Sequence, residues 1–144
     1  MLKSRQKKSS APPPGEWLPG RRGFRIFVPG RLVNPLGSVS SNRMTEHRRR
    51  EQWKNGVAGA LLAIGYRRGD FDPATRKKIA MTLHVAKRFD GLNLMGAVLK
   101  PIPDALTQFG VINDDRDSAQ HEWVEPIQII DRACPGVSVE VQLL

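Results

Sequence analysis

The apolar positions of the chain change period from block to block, and each change marks an element. Phe24, Ile26 and Val28 fall on one side of a period-two pattern that Pro29-Gly30 ends, which predicts a first strand. After a polar loop from Arg31 to Thr45 the period lengthens. Trp53, Val57, Ala60, Leu61 and Ile64 form one stripe of a helix, with Thr45 as its N-cap and Gly65 as its stop. Gly56 and Gly59 inside that helix each cost about 1 kcal/mol of propensity, so they point to close approach of a neighbouring element. Ile79, Met81, Leu83 and Val85 alternate with Ala80, Thr82 and His84, which predicts a second strand. Leu94, Val98, Ile102, Leu106 and Phe109 predict a second helical segment over 93–109, kinked or split by Pro101 and Pro103. Two further strands, over 122–131 and 137–143, are joined by a turn at Cys134-Pro135-Gly136. The order β-α-β-α-β-β, free of repeats, predicts an α+β fold: a two-layer α/β sandwich with the helices on one face of a mixed sheet. The other face is left for a second copy or a substrate.

Composition adds a partner to this picture. The 144 residues fit one domain, and no apolar run approaches a membrane span. Residues 1–22 read as a disordered basic tail in which only Trp17 has much to bury, and residues 23–144 as the domain. Net charge is +9, and it is uneven. Residues 1–54 hold thirteen Lys/Arg against three Glu, while residues 55–144 hold ten Lys/Arg against eleven Asp/Glu. Such a balance favours an anionic partner, nucleic acid first. Arg48, Arg49 and Arg50, with Lys54 a turn later, crowd cations at the start of the first helix, where the dipole prefers acids. They read either as a clamp on DNA phosphates or as a solvated face. The single Cys134 excludes a disulfide framework and a Cys-based zinc site, and His47, His84 and His121 lack metal-ligand spacing. The basic start has no apolar run behind it, so a cytoplasmic location is expected.

Candidate chemistry concentrates between Arg88 and Asp117. Acids stand just before a helical segment and just after it, with Lys100 between them. A strand end and a helix end can face one point, and carboxylates gathered there suit Mg²⁺, a hard cation that takes oxygen ligands. In a basic chain, Mg²⁺ beside carboxylates points to phosphodiester hydrolysis. A plainer reading stands beside it: Asp90 or Asn93 caps the helix, and Asn113-Asp114-Asp115 is a polar turn after the Gly110 stop. Asp70 and Asp72 repeat the Asp-x-Asp spacing, but Asp72 precedes Pro73 in a turn, and both read as turn residues.

Arg88-x-Asp90-x-x-Asn93-Leu94, Lys100-x-x-x-Asp104-Ala105-Leu106 and Gly110-x-x-x-Asp114-Asp115 together resemble the RusA family of Holliday-junction resolvases, mostly prophage- or phage-encoded. The family pattern is Asp-x-Asp-Asn-Leu, a lysine four residues before Asp-Ala-Leu, and paired aspartates four residues after a glycine. The resemblance implies Mg²⁺-dependent cleavage of branched DNA, the four-way junction, by a homodimer. It implies Asp90, Asp115 and Lys100 as catalytic residues, with the metal on Asp90 and Asp115 and Asp114 nearby. DNA would be held by Arg48, Arg49, Arg50, Lys54, Arg88 and Asn93. Leu92 departs from the pattern, standing where the family has its second aspartate. That departure motivates the alternative of a DNA-binding protein of the same fold with weak or no activity. Charge alone motivates an RNA-binding protein, for which stacking aromatics on a sheet face are expected.

Overall fold

Period-two burial builds the sheet. In a computed structural model of the chain, residues 14–32, 43–88, 99–113 and 121–144 are described. Strands β1 (Glu16–Trp17), β2 (Gly23–Pro29), β3 (Lys77–Val85), β4 (Glu122–Trp123), β5 (Ile127–Ile130) and β6 (Gly136–Leu143) make one mixed sheet, and helices α1 (Arg43–Ala63) and α2 (Pro101–Gln108) accompany it. The fold is α+β, as the pattern predicts. Ile79, Met81, Leu83 and Val85 of β3, Val137, Val139 and Val141 of β6, and Phe24, Ile26 and Val28 of β2 share one core with Trp53, Val57 and Leu61 of α1 and Ile102 and Leu106 of α2. Both helices therefore cover the same face.

The strand order is β1-β2-β6-β3-β4, with β5 also on β3. β6 lies antiparallel to β2 and to β3, so β2 and β3 point the same way and their ends share one edge of the sheet. β4 and β5 run parallel to β3 on its other side. The loop 131–135 that carries β5 into β6 lies at the same edge as the ends of β2 and β3, where the Gly30 N–H donates to the Pro135 carbonyl at 3.0 Å. α1 runs back along β2. Its Trp53 ring lies against Gly30, and a Cβ at Gly56 would stand 2.7 Å from Val28 Cγ1. Gly56 thus meets the expectation of close approach, while Gly59 faces open space.

Several boundaries differ from the sequence pattern. The sheet begins at Glu16, inside the stretch read as tail. Trp17 pairs with Phe24, its indole N–H donates to the Ile64 carbonyl at 2.7 Å, and its ring packs against Phe24, Tyr66 and Phe71. α1 starts at Arg43, so Thr45 lies within the helix rather than capping it. α2 starts at Pro101. Its two prolines lie in the first turn, which needs no N–H donors, and residues 93–98 of the expected segment lie outside the described residues. The expected strand over 122–131 is two strands separated by Val124, Glu125 and Pro126. Gly65 and Gly110, both at positive φ, end the helices as expected. Tyr66 N–H reaches the Leu61 carbonyl and Val111 N–H the Leu106 carbonyl, each closing a Schellman turn.

Candidate nucleic-acid interface

The shared edge of β2 and β3 gathers cations from four separate stretches of sequence. β2 runs out through Pro29 and Gly30 into Arg31, and β3 runs out into Lys87 and Arg88. The β5–β6 loop brings Arg132. The first half of α1 arrives at the same edge, since Trp53 packs on Gly30, and it carries Arg48, Arg49 and Arg50 one turn further out. Arg31, Arg48, Arg50, Lys87, Arg88 and Arg132 are all exposed. The α1 arginines occupy the second turn of a helix that starts at Arg43, so the dipole argument against them loses force. What favours a phosphate partner is their convergence with the strand-end cations. Lys54 is turned toward Glu51, at 3.4 Å.

A cleft of about 380 Å³ opens at this edge, between the end of β2, the end of β3 and the turn before β6. Arg31, Lys87, Arg88 and Arg132 line it above apolar atoms of Leu32, Val85 and Pro135. His84 forms part of its wall. The His84 ring stands 2.9 Å from Ser138 Oγ through Nε2 and 3.7 Å from Asp131 Oδ2 through Nδ1, edge-on to Phe27. Asp131 also accepts from the Cys134 N–H at 3.2 Å. Asp131 is therefore already engaged by its own loop and by His84.

The opposite edge is built from polar groups hydrogen-bonded within the chain. Lys77 is fully buried, and its ammonium donates to the Asp72 and Thr75 carbonyls at 2.7 Å each. Burial pushes its pKa down to about 8, opposed by the Asp72 carboxylate. His121 is also fully buried. Its Nδ1 accepts from the Lys77 backbone N–H at 3.2 Å, so Nε2 carries the proton and donates to Asn113 Oδ1 at 3.0 Å. Asp70 and Asp72 accept from the Arg67 and Ala74 N–H groups, which makes them the turn residues their spacing indicates.

Asp90, Leu92, Asn93, Asp114 and Asp115 lie outside the described residues. Their anchors are described. Arg88 lies at the basic edge, whereas Asn113 and His121 lie at the Lys77 edge. Lys77 and Val85 are eight strand steps apart, about 26 Å at some 3.3 Å per residue. Lys100 stands immediately before α2, half exposed, with its ammonium 3.3 Å from Asp104. Among the described residues no group of three or more His, Cys, Asp or Glu is placed to hold a metal ion.

No protein-family model and no curated protein matches the chain.

The likeness to RusA resolvases accordingly rests on the motif residues between Arg88 and Asp115. Arg31 and Arg132 carry no sequence signal as a pair. They lie far apart in the chain, and only the placing of β6 between β2 and β3 brings their loops together. Among the described residues no helix is long and apolar enough to cross a membrane.

Proposed function

We propose that the chain is a Mg²⁺-dependent endodeoxyribonuclease of the RusA kind that acts on branched DNA. The observation that carries the DNA part is the basic edge, where cations of α1, β2, β3 and the β5–β6 loop converge. Phosphate binding by such a surface releases counterions and needs no particular base. The nuclease part rests on the Asp90, Lys100 and Asp114-Asp115 spacing. Mg²⁺ held by Asp90 and Asp115 would activate water and neutralise phosphate oxygens. Lys100, shared with Asp104 at rest, would contribute positive charge near the scissile phosphate. A homodimer is part of the proposal. β5 pairs with β3 on one side, no described strand pairs its other side, and Ile127, Ile129 and Ile130 of this strand are exposed.

The deciding experiment is a nicking assay with Mg²⁺ on a four-way junction beside linear duplex of the same sequence. Symmetric cuts confined to the junction, lost in Asp115→Asn, are expected. Tight junction binding without cuts at any Mg²⁺ concentration would instead favour the second reading, a DNA-binding protein without nuclease activity. Leu92 motivates that reading, because it removes one carboxylate from the family set. Leu92→Asp tests the metal site itself: if Asp90 and Asp115 hold Mg²⁺ the variant gains Mg²⁺ affinity and cleavage, and if these acids only cap and turn the chain it melts lower and gives no Mg²⁺ response.

A further inference from the structure

We infer that the cleft at the ends of β2 and β3 seats one unstacked nucleotide, its phosphate held by Arg31 and Arg132. The inference rests on the proposed action on branched DNA and adds the part of the substrate that this cleft would take.

Charge is the first argument. Arg31, Lys87, Arg88 and Arg132 line a single cleft, and among the described residues no carboxylate lines it with them. None of the four forms an ion pair among the described residues. Asp131, the acid beside Arg132, is drawn the other way, to the Cys134 N–H and to His84. Like charges held together without an anion repel, and a phosphate relieves that repulsion through charge-assisted hydrogen bonds, bidentate where arginine is the donor.

Shape is the second argument. A volume of about 380 Å³ lies in the range of small-molecule sites rather than of a flat phosphate-tracking groove. Its floor is apolar, from Leu32, Val85 and Pro135, and nothing in a bare phosphate would use that floor. A sugar and base would, with the base lying against aliphatic atoms or a guanidinium plane. His84 is held by Ser138 and Asp131, so the wall is fixed before anything binds.

Location is the third. The cleft shares its edge with the α1 arginines, which suit the backbone phosphates of a flanking duplex arm. Bases held in a paired stack are not free to enter a cleft of this size. A branch point, where stacking is interrupted, offers a nucleotide that does.

The test is titration of the full chain with thymidine 5′-monophosphate, read by amide chemical shifts. Inorganic phosphate and thymidine serve as separate probes, and four-way-junction binding is measured in parallel. The monophosphate is expected to shift Leu32, Val85 and Ala86 and to bind more tightly than either probe. Arg31→Gln and Arg132→Gln are each expected to weaken it about tenfold or more, with the amide spectrum otherwise folded. Equal binding of inorganic phosphate and the monophosphate overturns the inference, because the apolar floor then plays no part. Shifts confined to α1 overturn it too. Absence of cleft shifts with junction binding intact removes this inference alone. Loss of both removes it together with the reading of the chain as a DNA-acting protein.

Discussion

Lys77 shows how a single buried charge leaves a signature in solution. Its ammonium is surrounded by the Asp72 and Thr75 carbonyls and the Phe71 ring, and burial holds its pKa near 8 against an ordinary value of 10.5. Between those two values the unfolded chain keeps a proton that the folded protein has released. Stability therefore rises with pH from about 8 to about 10.5, at no more than about 1.4 kcal/mol per pH unit from this group. Below pH 8 the gain is absent. Urea titrations at pH 7.5 and pH 9.5 are expected to show the stability of wild type rising relative to that of Lys77→Met at the higher pH, so that the gap between them changes. A gap that stays constant removes the buried-lysine account. Gly136 makes a second prediction at this scale. A Cβ there would stand 2.5 Å from both Phe27 Cζ and the Val28 carbonyl oxygen, one of them backbone. Gly136→Ala is expected to lower stability by about 2 kcal/mol in the same titration.

At the scale of the elements, α1 is the piece whose surface decides binding. Converting Arg48, Arg49 and Arg50 together to Ala is expected to reduce the slope of log affinity against log salt on duplex DNA. The reduction is about 0.9 for each phosphate that the helix no longer neutralises. An unchanged slope makes the cluster a solvated face. α1 also shows what the sequence makes legible. Its Trp53-Val57-Leu61 stripe, and the alternation of β2, β3 and β6, are direct consequences of one buried face, and each is readable as a period. What the pattern hides is set by residues from elsewhere in the chain. β1 has only Glu16 and Trp17, too short to show a period, and it is held by β2 and by the Ile64 carbonyl. Lys77 extends the β3 alternation by one step onto the buried face, yet beside Lys78 it reads as a solvated pair. The break at Pro126 is visible as a residue, but that both halves still pair with β3 is not. The candidate site divides in the same way. Arg48 to Arg50 form a run that a sequence displays, Arg31 and Arg132 are joined only by topology, and Asp90 and Asp115 lie outside the described residues.

For the whole molecule, the open side of β5 is where self-association is expected. Ile127 is 60%, Ile129 46% and Ile130 47% exposed, and β5 itself holds no charge or proline between Pro126 and Asp131. Ile129→Lys is expected to turn a dimer into a monomer by sedimentation while thermal stability per chain changes little. A wild type that is monomeric at high concentration excludes the dimer. The position of β6 has a different consequence, in time rather than in space. β2 and β3 meet only through β6, which follows both in the chain. Until residues 136–143 are available, β2 and β3 lack the strand that fills the space between them, and α1 has only a divided surface to pack on. Assembly of the sheet therefore awaits the strand made last among those described, and the earlier residues wait as a sticky, edge-exposing precursor. Chains stopped at Cys134 are expected to lack cooperative unfolding and to aggregate, and supplying 135–144 as a separate peptide is expected to rescue them by completing the gap between two waiting strands.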